Sequence, residues 1–121
     1  MNEITLKVIR DNREIFQSDK HWLFPLFDLE ICVSKHNLDV SKAEIYDKIV
    51  GKAAAFLILR LGVGMVHADV ISKLACEVFD RTSIPYSYNT LVDRIDCQTE
   101  EILRNINDPE IAYRILHERT R

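Results

Sequence analysis

Between Ile49 and Leu61 the sequence reads IVGKAAAFLILRL, a run of helical length that leaves almost no polar surface on any side. A helix that is apolar all round must be covered on more than one side, so the chain has to build other layers around it. Gly62 supplies a stop, and Gly62-Val63-Gly64 a turn. MVHADVI at 65–71 then reads as a strand apolar on both faces, which suits an inner strand of a parallel or mixed sheet. The first turns of the helix are unusually small. Gly51, Ala53, Ala54 and Ala55 allow close approach of a neighbouring backbone, which explains a glycine that otherwise costs roughly 1 kcal/mol against alanine.

The flanking sequence supplies the remaining elements. Residues 4 to 10 alternate as a strand, Asp11-Asn12 carries turn chemistry, and Glu14-Ile15-Phe16 reads as the returning strand of a hairpin. A first helix is predicted over 23–36, with Pro25 confined to its early positions, and Leu38 and Val40 are expected to pack inward. Asp47 is expected to cap the second helix, which runs to Arg60 or Leu61. Ser72 caps a third helix, SKLACEVFDRT. Ile84 to Tyr88 is a short strand with Pro85 at its start or edge, and Asn89 or Thr90 opens a helical turn through Ile95. Asn107-Asp108-Pro109 begins a final helix over 109–118. A hairpin followed by alternating helices and strands predicts one sheet with helices on its faces, its later strands parallel through right-handed crossovers.

A chain of 121 residues with 47% apolar residues has room for one domain, expected over 1–121, with a real core. The net charge of −3 and the lack of any run of four Lys or Arg leave no expectation of nucleic-acid binding. The N-terminal stretch has no signal-peptide core and every apolar stretch is short, so neither a membrane nor an export route is expected, and the predicted location is cytoplasmic. Cys32, Cys76 and Cys97 are odd in number and lack CxxC spacing, which reads as free thiols rather than a disulfide framework.

Candidate site residues concentrate after residue 46. Lys48 and Lys52, four apart on the expected helix, would share one face near its positive end, where each cation opposes the dipole by roughly 0.3–1 kcal/mol. Two readings follow. Asp47 and other acids neutralise the pair, or exposed amides and an ammonium group form an anion pocket, with Lys52 the direct contact beside Gly51 and Asp47 orienting. His67 and Asp69 alternate along their strand and can face one side, either as a structural hydrogen-bonded pair or as a ligand-facing acid–base pair. Ser72 is a helix cap or a hydroxyl contact to a bound anion. Trp22, Phe24 and Phe27 are read as packing of the first helix, the alternative being a subunit interface.

The stretches DKIVGKAAAF at 47–56, GVGMVHADVISKLACEVF at 62–79 and CQTEEILRNINDPEIAYRIL at 97–116 resemble the domain of unknown function 1893 family, which is related structurally to the cytidine deaminase-like superfamily. The resemblance implies a three-layer α/β/α sandwich around a mixed sheet, whose first two strands form the hairpin. It also makes Cys97 and Glu100 a family-like C-x-x-E element, although Gln98 stands where relatives carry a proline. Cys97 would act as a nucleophile only with a lowered pKa and a base nearby. A zinc deaminase needs H-x-E and P-C-x-x-C elements. Projected on this chain they fall at Gly51-Lys52-Ala53 and at 72–76, where Cys76 is the sole ligand type, so no metal and no cofactor is expected.

The expectation is therefore a zinc-free deaminase-like domain that binds a small anionic or nucleotide-like metabolite through Asp47, Lys48, Gly51, Lys52, Ser72 and Glu100. One alternative is a metal-independent hydrolase or group-transfer enzyme, with His67 as base, Asp69 orienting it and Lys52 stabilising developing charge. The other is a regulatory or structural oligomerisation module, and a homo-oligomer is compatible with each.

Overall fold

A computed structural model describes residues 3–95 and 97–120, apart from the side chain of Cys97. The elements run β1 (Leu6–Arg10), β2 (Arg13–Ser18), α1 (Phe24–His36), β3 (Glu44–Val50), α2 (Lys52–Leu61), β4 (Met65–Ser72), α3 (Lys73–Asp80), β5 (Tyr86–Val92), α4 (Cys97–Ile102) and α5 (Pro109–Glu118). They build a mixed α/β fold on one five-stranded sheet in the order β2-β1-β3-β4-β5. β1 is antiparallel to both β2 and β3, while β3, β4 and β5 are parallel.

The hairpin forms where turn chemistry placed it. Asp11 and Asn12 take φ of 54° and 63°, the left-handed pair that a two-residue hairpin loop with matching twist requires. α1 begins with Pro25 in its first turn and closes on Asn37, whose φ is 51°. α5 has Asp108 as its cap, accepting from the Glu110 amide, and Ser72 caps α3 by accepting from the Ala75 amide.

Two expectations about boundaries are corrected. Asp47 is not a helix cap: residues 44–50 form β3, and α2 begins at Lys52 with Gly51 in the capping position. β3 pairs with β1 on one side and β4 on the other, so its hydrogen bonds come from distant segments that override the helix-like local pattern. Lys48 and Lys52 consequently lie on different elements and share no helix face. Likewise the turn expected after Asn89 is strand, because β5 stays paired with β4 as far as Val92.

Strand alternation gives the sheet two unlike faces. Leu6, Val8, Ile45, Val66 and Ala68 are buried on one, beneath the helices. α2 and α3 are successive crossovers in one direction of strand order, which right-handed connection places on a common face. α2 lies at the centre of the helical packing, against α1, α3, α4 and α5, and its residues Lys52 through Ile58 are all buried. Arg60 ties three helices together: its guanidinium pairs with Glu30 of α1 at 2.9 Å and Glu110 of α5 at 3.0 Å, and stacks 3.6 Å above the Tyr113 ring. The opposite sheet face carries Lys7, Glu44, Tyr46, His67, Asp69, Ser87 and Asn89. It is polar.

Candidate functional site

β3 ends at Val50, the chain passes Gly51, and α2 starts at once, which brings a strand terminus and a helix N-terminus to one place. A cavity of about 460 Å³ opens there. Asp47, Lys48 and Ile49 of β3, Gly51, and Lys52 to Ala54 of α2 form its base, and the β2–α1 connection supplies Lys20, His21 and Trp22. Asp47, Lys48, Gly51 and Lys52 are thus brought together, though by a strand and a helix rather than by one helix.

Gly51 offers no side-chain cap, and Ala55 is the first residue of α2 whose amide reaches a backbone acceptor, the Gly51 carbonyl at 2.9 Å. Among the described residues the amides of Lys52, Ala53 and Ala54 come before the first intrahelical bond, at the edge of the cavity. A side chain at position 51 would crowd this corner, since an added Cβ would stand 3.2 Å from Glu100 Oε1 and 3.3 Å from Ile95 Cβ. Close packing against the β5–α4 connection thus accounts for the glycine.

The lysines around the cavity already have partners, and Lys48's partner Glu3 lines the cavity too. Lys48 pairs with Glu3, and Lys20 pairs with Asp28 at 2.7 Å. Lys52 is buried; its ammonium donates to the Arg104 carbonyl at 3.3 Å and lies 5.8 Å from the Phe56 ring centroid. Burial pulls its pKa below the usual lysine value, and repulsion from Arg81 adds to this while Glu77 and Glu100 oppose it. Asp47 has no described cation within ion-pair distance. Burial pushes its carboxyl up to about 7 even though the backbone amides of Ile49 and Lys48 favour the charged form.

The remaining sequence candidates fall elsewhere. Ser72 is fully buried as the α3 cap and lines none of the described cavities. Glu100 is almost wholly buried; Oε1 accepts from the Ile95 amide at 3.1 Å, and Oε2 has no described hydrogen-bond donor, the Arg94 Nε being 3.7 Å away. The Cys97 side chain lies outside the described residues. His67 and Asp69 line a second groove, of about 540 Å³, on the polar sheet face. There Asp69 accepts from Asn89 at 3.1 Å and the His67 ring meets Ser87 and Glu44.

Trp22 is the cavity residue whose role the sequence obscured. Phe27 is buried as expected for α1, but Trp22 and Phe24 are 40% and 43% exposed and pack edge to face at 5.4 Å. Trp22 also holds a φ of 59°, a left-handed backbone unusual for a bulky residue. Its neighbours in sequence give no hint of that conformation.

No group of three or more His, Cys, Asp or Glu side chains among the described residues is placed to hold a metal ion. Among the described residues no helix is long and apolar enough to cross a membrane. Fold and site define a small mixed α/β protein whose cavity is built from carboxylate, lysine, aromatic and helix-terminal groups. The chain belongs to the family described as TM1506, domain of unknown function (DUF1893), which it matches over residues 2–120. Its fold is similar to the crystal structure of the DUF1893 family protein TM1506 from Thermotoga maritima, with a TM-score of 0.82 at 26% identity, over 96% of this chain and 80% of that one. Among curated proteins, none matches the sequence.

Proposed function

We propose that the chain is a zinc-free domain binding a small anionic, nucleotide-like metabolite in the cavity at the carboxyl end of β3, without deaminating it. The observation that carries this reading is the start of α2, where Gly51 provides no side-chain cap and the first amides border a ligand-sized cavity. Such a terminus attracts anions because free N–H groups and the helix dipole act in the same direction. Trp22 adds a flat aromatic surface at the rim, and its left-handed backbone is the kind of local strain that binding sites retain. Asp47 and Lys48 supply polar contacts to the rest of the ligand. The finer relation to the cytidine deaminase-like three-layer sandwich draws support from the antiparallel hairpin beside a parallel trio of strands. The polar face bearing Tyr46 and His67 is the main departure from it.

Calorimetric titration with inorganic phosphate and with adenosine monophosphate tests the reading. Both ligands are expected to bind, the nucleotide more tightly because its base can stack on Trp22. Ala53→Asp places a carboxylate at the helix end, where it is compatible with the dipole but occupies the anion's place. It is expected to weaken phosphate at least about tenfold, the equivalent of roughly 1.4 kcal/mol. Absence of heat and of any melting shift with both ligands at millimolar concentration would sink the proposal.

A further inference from the structure

On the polar face of the sheet, three side chains from three neighbouring strands form a hydrogen-bonded chain. His67 of β4 is the register partner of Ser87 on β5, and its Nδ1 lies 2.6 Å from the Ser87 hydroxyl. On its other side Nε2 lies 3.1 Å from Glu44 Oε1, on β3. The carboxylate can only accept, so Nε2 carries a proton and donates to Glu44; in the neutral ring Nδ1 is then the acceptor for the Ser87 O–H. The ring is also held flat. Tyr46 stacks on it at 4.6 Å with an interplanar angle of 17°, and the Lys7 ammonium lies 5.4 Å from the centroid of the Tyr46 ring. Ser87 is exposed at the groove that His67, Lys7 and Asn89 also line.

A hydroxyl on an imidazole whose far nitrogen is fixed by a carboxylate is the arrangement that activates a serine nucleophile. We propose that this groove is an acyl-transfer site for small carboxylic esters, with Ser87 as nucleophile, His67 as general base and Glu44 as positioning residue. Ser87 Oγ attacks the ester carbonyl carbon and its proton passes to His67 Nδ1. The C–O bond to the alcohol then breaks, and the leaving oxygen takes that proton from His67. Water, deprotonated by the same nitrogen, attacks the acyl-serine; the carboxylic acid leaves, and Oγ recovers its proton. Asn89, two residues along β5 from Ser87 and in the same groove, is the donor for the transient oxyanion: its Nδ2 gives one hydrogen to Asp69 and has a second to give. The groove shares Thr5, Asp47 and Lys48 with the metabolite cavity, but Ser87, His67 and Glu44 belong to the sheet face alone, and the acyl-transfer site does not depend on that cavity.

A fluorophosphonate probe followed by intact-mass and peptide analysis tests the assignment. The expected result is one adduct per chain, on Ser87, together with a burst of p-nitrophenol from p-nitrophenyl acetate. Ser87→Ala should remove both. His67→Gln should slow labelling about 100-fold, the lower range for loss of a general base. Glu44→Gln should slow it less and shift the pH at which labelling is half-maximal, an effect that a merely structural hydrogen bond would not produce. All three positions face the solvent side of the sheet, and circular dichroism checks that each variant remains folded. An unlabelled chain, an adduct at another residue, or a Ser87 adduct that forms equally fast in His67→Gln overturns the proposal.

Discussion

Asp47 carries a charge that its surroundings oppose, and that opposition has a measurable consequence for stability. Its carboxyl rises from the ordinary 3.8 to about 7 in the folded chain. Between those values the folded form keeps a proton that the unfolded form has released, so stability falls as pH rises from about 4 to about 7 and stays reduced above. A three-unit difference corresponds to roughly 4 kcal/mol. The side chain is only half-buried, and solvent screening leaves a fraction of that. Asp47→Asn removes the ionisation but keeps an acceptor for the nearby amides. It is expected to stabilise the protein by about 1–2 kcal/mol at pH 8, with the gain vanishing near pH 4. Urea unfolding of both proteins at the two pH values checks this, and an equal difference at both would contradict it. The residue was legible in the sequence as a site candidate but not as this one: what sets its pKa is the burial created by β1, β4 and α2 around it. Ser72 shows the opposite case. Its capping bond reaches only three residues ahead, so its place before the helix was enough to reveal it.

Elements followed the same division between local and distant causes. α1 and α5 stop or start on residues adjacent to them in sequence, Asn37 and Asp108, and the hairpin turn is encoded by its own two residues. β3 was hidden, because EIYDKIV followed by glycine and alanines mimics a helix start until β1 and β4 are present to pair with it. The Glu44–His67–Ser87 chain was hidden for the same reason, since register across three strands brings it together. Helix packing depends on a comparable distant contact at Arg60. Its fork reaches carboxylates on α1 and α5 while its plane lies on Tyr113, a combination lysine cannot reproduce. Arg60→Lys is expected to lose about 1–2 kcal/mol, in the range for charge-assisted hydrogen bonds on a partly exposed group. Denaturant midpoints of the two proteins decide it. An unchanged midpoint would mean that the three helices hold together by apolar contact alone.

At the scale of the whole molecule, stability should be graded across the sheet, and the two proposed sites fall at different points on that gradient. β3 and β4 each have a strand on both sides and α2 above them, whereas β5 is an edge strand with mostly exposed residues and α4 is a single short helix. Amide exchange from β3, β4 and α2 should therefore report global unfolding, while the unpaired amides of β5 and those of α4 exchange at least about 100-fold faster through local opening. The metabolite cavity joins the slow region, at β3 and α2, to the connection around Lys20–Leu23. An anion bound there should slow exchange at the first amides of α2 and along that connection, and leave β5 unchanged. A probe attached to Ser87 should do the reverse, protecting β5 without affecting the start of α2. Exchange measured with phosphate and then with the serine adduct separates the two sites in one protein. Protection spread evenly over the sheet in both experiments would mean that the ligands act through overall stability and that neither site is local.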